Sequence, residues 1–293
     1  SASELKNQLT ALFGDIIKND STFTAPAVSV NAYNKLQHND ELYYSVFSPE
    51  KNANWKGNLK RYRIEGDVIY DNSSPTPLNA VDPATGFFDK DSHSFWTLGT
   101  ADGKAVDKGG IASRLRLPSE LALKDGRMVT TYLIGNDTNL TDASNRIHPD
   151  NNNLINSMFS AQNNGERKNI IKWASGIDVN NEDEGTVNGS STAEFEDARP
   201  FMEDPLHSQS VIINYSADER VVFISTNSGY LHAFSPKLDS APNTTPVERP
   251  KELFSFIPRE LLTNIKPYYS GETGKKYGLD GPLSYYHHDL NQN

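Results

Sequence analysis

Oxygen-bearing side chains are densest at Asp178-x-Asn180-x-Glu182-Asp183-Glu184-Gly185, where alternating positions could turn inward around a hard cation such as calcium. Asp178, Asn180, Glu182, Asp183 and Glu184 are therefore the candidate metal ligands. The match to an EF-hand loop is poor. Such a loop needs glycine at its sixth position and a bidentate glutamate at its twelfth, whereas here Gly185 is eighth and Gly189 twelfth. A solvated acidic loop is the stronger reading of the same residues. Asp89-x-Asp91 is a weaker instance of the pattern.

Other chemistry has less support. His287, His288 and Asp289 suggest a transition-metal site, but neighbours on a strand point to opposite faces, so His287 and His288 cannot easily share one ion. With His207 and His232 they read as polar and surface histidines. Serine, histidine and aspartate are plentiful, yet no Gly-x-Ser-x-Gly elbow frames a nucleophile, and Asp107-Lys108-Gly109-Gly110 lacks the spacing of a phosphate loop. Cysteine is absent, which removes thiolate metal sites, disulfides and cysteine nucleophiles. The reading is of a non-enzymatic chain with no catalytic residue, no cofactor-binding residue and no required cofactor.

A formal charge of −10 with no basic stripe argues against a nucleic-acid partner. No apolar run approaches the length of a membrane span, and Ser1-Ala2-Ser3 opens no secretory leader, as in a mature or excised region. Asn-x-Ser/Thr sequons such as Asn139-Leu140-Thr141 arise by chance in so asparagine-rich a chain, and there is no Arg-Gly-Asp tripeptide.

The elements that must position any site are clearest between Asp204 and Leu262. Ser210 to Tyr215 and Arg220 to Thr226 are short apolar runs rich in β-branched residues, which predicts two strands covered on both faces. Asn227-Ser228-Gly229 supplies a tight turn, Tyr230 to Phe234 a third strand, and Glu252 to Ile257 a fourth after a polar loop. Pro258 then suits the first turn of a helix carrying Leu261, Leu262 and Ile265. Four short antiparallel strands in about 60 residues fit a propeller blade, and equally an ordinary antiparallel sandwich. A lone blade cannot bury its faces and must stack on others.

Three strings in this span carry a resemblance: Asp204-Pro205-Leu206-His207-Ser208-Gln209, Val222 through Phe234, and Glu252 through Leu262, followed by Tyr277-Gly278-Leu279-Asp280-Gly281-Pro282. In these the chain resembles the C-terminal propeller of type IV pilus biogenesis and tip adhesin proteins of the PilC/PilY type. Looser similarity extends upstream through Tyr44-Ser45-Val46-Phe47, Trp55 to Leu59, Asp102 to Gly110 and Ile171-Lys172-Trp173. The resemblance implies a mainly β, partial or modified β-propeller with four-stranded antiparallel blades. It also implies a role in pilus assembly and surface adhesion, with minor or major pilins and host-surface molecules as partners. The place implied is the periplasm, pilus tip or outer surface of a Gram-negative bacterium. That family binds calcium through an aspartate-rich loop beyond the segments matched here, which this chain is expected to lack. Tyr230 to Phe234 also resembles blades of quinoprotein dehydrogenases, which keeps a pyrroloquinoline quinone oxidoreductase as the alternative; Asp239 is followed by no Thr-Gly pair, and Phe254 and Phe256 stand where those blades carry tryptophan. A calcium-regulated extracellular binding module is the further alternative.

Residues 1–24 read as a docking helix and linker, with Ser1-x-x-Glu4 at capping spacing and Leu5, Leu9, Leu12, Phe13, Ile16 and Ile17 on one face. Residues 25–293 form the propeller-type domain, incomplete at its C-terminus, with loop-rich insertions at about 72–125 and 178–203. Ala27 to Ala32, Leu42 to Phe47, Leu59 to Ile64 and Val68 to Tyr70 predict a β-meander. Asn72 to Gly110 is expected to lie on the surface, anchored at Ser94 to Leu98, and Arg127 to Ile134 predicts a strand. Helices are expected at Asn152 to Ala161 and Glu166 to Ile177, and Leu283 to Leu290 starts an unfinished strand. At roughly 40–50 residues per blade and at least four blades per ring, the chain is short for a closed propeller, so a piece of a larger protein or closure by a second chain is expected.

Overall fold

A computed structural model of the chain describes residues 23–28, 41–73, 76, 78–83, 88–97, 100–112, 115, 127–133, 139–180, 186–187, 190–191, 199, 202–215, 219–236 and 250–286. The predicted N-terminal helix lies outside them. The fold is mainly β. Its first strands are β1 (Phe23–Val28), β2 (Glu41–Ser48), β3 (Lys56–Glu65), β4 (Val68–Tyr70) and β5 (Val129–Thr130). Helix α1 (Asn164–Ala174) and the short strands β6 (Thr186–Val187), β7 (Ser190–Ser191) and β8 (Met202–Glu203) follow. Strands β9 (Val211–Asn214), β10 (Arg220–Ser225), β11 (Leu231–Ser235) and β12 (Lys251–Phe256) precede a 3-10 segment, Arg259–Asn264, and helix α2 (Ile265–Tyr269).

Two five-stranded sheets carry the architecture. In the first, β1 to β4 run as an antiparallel meander, and β8 pairs with the start of β3. In the second, β9, β10, β11 and β12 lie side by side in chain order, so the four predicted strands fall in one sheet. Strand β5 adds to its edge in parallel with β12, a pairing no local pattern announces. The predicted strand Arg127 to Ile134 thus shrinks to two residues.

The alternation of strand side chains decides how the sheets meet. Tyr43 and Leu59 of the first sheet share an apolar cluster with Ile212, Val222, Ile224 and Phe234 of the second. Each such side chain, wholly removed from water, contributes about 1.5–3 kcal/mol. A larger cluster gathers Ile170, Ile171 and Trp173 of α1 with Tyr230, Ile257 and Tyr268, fixing the helices against the second sheet. Strand β10 is buried except at Arg220 and Phe223, whereas β9, at the sheet edge, is mostly half-exposed.

Three expectations are corrected. The described residues of 72–110 do not all lie on the surface: Ala80, Trp96, Asp102 and Val106 are buried, and Phe95 and Ile111 donate backbone hydrogen bonds to Arg61 and Leu59 along the free edge of β3. Buried side chains on β3 hold it there, for Lys60 Nζ donates to the Asp102 and Gly103 carbonyls at 2.7 and 2.8 Å and Asn58 Nδ2 donates to those of Val106 and Gly109. The helix predicted over Asn152 to Ala161 is only a 3-10 turn, Asn156–Phe159, because Leu154 and Phe159 are buried but Ile155 between them faces water. The helix after Pro258 begins as 3-10 and becomes α-helical only at Ile265. The other helix forms as expected: Asn163 Oδ1 accepts from Glu166 N, and the Glu166 carboxylate accepts from Gln162 N, a reciprocal cap.

Candidate functional site

Segments far apart in the chain meet at the turn between β10 and β11. Thr226 to Gly229 forms the turn, with Gly229 N donating to Thr226 O and a φ of 97° that favours glycine. Asp204, just after β8, accepts the Asn227 side-chain amide at 2.7 Å, and its carbonyl accepts Asn227 N at 2.9 Å. From the other side, Leu279 N donates to Thr226 O, and Gly278 lies so close that an added Cβ would stand 2.5 Å from Asn227 O. Lys275 closes the arrangement, paired with Asp204 and 4.2 Å above the Trp55 ring. Burial raises the Asp204 carboxyl, only partly offset by Lys275 and Asn227, and burial likewise lowers the Lys275 ammonium. Desolvation therefore outweighs attraction for both partners. His207 meets Asp280 at 3.0 Å on the outer rim.

Beneath the turn lies a sealed cluster of charge. Tyr230, His232 and Phe234 project from one face of β11 and stack, with ring centroids 5.3 and 5.6 Å apart. Glu252 on β12 accepts two hydrogen bonds from Arg127, at 2.6 and 2.7 Å, and lies 2.9 Å from His232 Nδ1. Arg199 pairs with Glu203 at 2.7 Å and covers the Trp173 ring at 3.7 Å. Burial opposes ionisation of Glu252 and Glu203, but Arg127 pulls the first, and Arg199 with Arg127 the second, below the usual carboxylate range. Side-chain exposure in these ion pairs is 5% or less, so they join α1, β8 and the second sheet rather than meet a substrate.

The surface beside the Asp204 turn is different. A cleft of about 400 Å³ opens between the residues before β3 and the end of α2, lined by Asn52, Asn54, Asn180, Tyr268, Tyr269 and Ser270. Tyr268 is buried and donates its hydroxyl to Lys276 O, while Asn180 Nδ2 donates to Tyr269 O at 2.6 Å. Amides that donate and accept, with tyrosine rings and no charged lining group, suit binding rather than bond cleavage.

Of the predicted calcium ligands, only Asp178 and Asn180 lie among the described residues. Asp178 is fully buried just after α1, whereas Asn180 is exposed in the cleft, and Glu182, Asp183 and Glu184 lie outside the described residues. Among the described residues no three acidic or histidine side chains are grouped to hold a metal. His232 belongs to the sealed cluster and His207 to the rim; His287, His288 and Asp289 lie outside the described residues. Sequence reasoning missed Arg127, Glu203 and Glu252, which look like surface charges. Comparison with protein families, curated proteins and solved structures returns no match for the chain. No helix among the described residues is long and apolar enough to cross a membrane.

Proposed function

We propose that this chain is a non-enzymatic scaffold of the type IV pilus biogenesis and tip adhesin kind, exported to the periplasm, pilus tip or outer surface of a Gram-negative bacterium. Its sheets hold loops in place, and those loops contact minor or major pilins and host-surface molecules. The observation that carries the reading is the meeting of the resembling strings: Asp204, the Thr226–Gly229 turn and the segment through Gly278 and Leu279 bond to one another.

The second sheet fits a blade-like role. Its four antiparallel strands run in chain order, and the row Val211, Phe223 and Phe254 on the face away from the first sheet is only half-buried. Such a face is suited to stacking on a further module. The sealing of Glu252, Glu203 and His232 away from solvent favours binding over catalysis.

The test is biolayer interferometry of the 293-residue chain against purified major and minor type IV pilins. Saturable binding to at least one pilin is expected, and absence of binding to every pilin overturns the reading. Titration with pyrroloquinoline quinone is the companion experiment. A tight stoichiometric absorbance change would replace the scaffold with a quinoprotein-like oxidoreductase.

A further inference from the structure

We propose that the cleft lined by Asn52, Asn54, Asn180, Tyr268 and Tyr269 is a binding site for a neutral saccharide. Its volume, about 400 Å³, lies within the range of small-ligand sites, which is roughly 300–1,000 Å³. The lining decides the chemistry. No lysine, arginine, aspartate or glutamate contributes to it, so neither an anionic nor a cationic ligand finds a counter-charge. Three amides and a serine share the wall with two tyrosines, so polar and apolar lining are about balanced. A neutral polyol, with hydroxyl edges and apolar ring faces, matches that mixture.

The amides are posed for such a ligand. An asparagine side chain presents a donor and an acceptor side by side, which matches two adjacent sugar hydroxyls. Asn180 is oriented by the bond from its Nδ2 to Tyr269 O, which turns its carbonyl oxygen away from that partner. The Tyr268 ring is immobilised by its core contacts and its hydroxyl bond to Lys276 O, so its place costs no ordering when a ligand binds.

This inference rests on the cleft alone and goes beyond the pilus reading. A chain that binds pilin but no sugar keeps the earlier proposal and loses this one, and the reverse result does the opposite. The experiment is saturation-transfer-difference NMR of the full chain with methyl glycosides of glucose, galactose, mannose, fucose, N-acetylglucosamine and N-acetylgalactosamine, and with lactose and sialyllactose. Transfer is expected from at least one neutral sugar in preference to sialyllactose. The Asn52→Ala/Asn180→Ala double variant should weaken that binding at least about tenfold, as expected for losing hydrogen bonds worth about 1.4 kcal/mol or more in total. Ser270→Trp, which leaves both amides in place but fills the mouth, should abolish it with the thermal midpoint unchanged. Absence of transfer from every neutral sugar, preference for sialyllactose, or binding that persists in both variants overturns the proposal.

Discussion

The sealed charge cluster and the open cleft lie close together and are built from opposite materials. Arg127, Arg199, Glu203, His232 and Glu252 hold most of the chemistry an enzyme would want, and all are buried among protein partners. Asn52, Asn54 and Asn180 line the cleft and carry no charge. The contrast teaches that charge here joins elements, while the cleft is walled by neutral groups. A catalytic design would place its titratable groups in the cleft.

The sharpest way to break the comparison is to remove one partner from the sealed side. Arg127→Met leaves Glu252 buried without its cation and should cost about 3–5 kcal/mol in urea denaturation. The double variant Arg127→Met/Glu252→Leu should recover most of that loss, because two packed apolar side chains replace two desolvated ions. If the double variant is no better than the single one, the pair is more than a fastener.

A smaller effect is expected at the turn. Gly278→Ala would drive a methyl into Asn227 O and the backbone of Gly229, and overpacking of this sort costs about 1–3 kcal/mol. Limited proteolysis should then cut within 270–286 faster than in the parent chain.

Acid probes the sealed cluster. The Glu252 and Glu203 carboxyls are held below their ordinary value of 4.5 in the folded state. Their contribution is complete above that pH and is lost as pH falls from about 4.5 through the folded values. The urea midpoint should therefore drop below pH about 4.5, and more gently in the Arg127→Met/Glu252→Leu variant. Least affected is the exposed Arg63–Glu65 pair, where Arg63→Ala should change stability by less than about 0.5 kcal/mol.

Much of the frame is legible in the sequence. The β-branched runs at Val211 to Ile213 and Val221 to Ile224, with glycine at 229, announce the second sheet because local spacing and turn chemistry suffice. Ile170, Trp173 and Ala174 announce α1 in the same way. What stays hidden depends on distant partners. Turn-rich composition disguises 72–112 as surface, since Lys60 and Asp102 look solvated until β3 and that segment meet. The pairing of Ser255 with Val129 has no local signature. Asn52 and Asn180 are unremarkable in an asparagine-rich chain until the fold sets them on one cleft.

The claim that this chain binds through neutral surface and keeps its charges for structure is tested most directly by titrating one preparation in parallel with immobilised type IV pilins and with pyrroloquinoline quinone. Saturable pilin binding with no stoichiometric quinone complex is the predicted result. A tight quinone complex without pilin binding would contradict it.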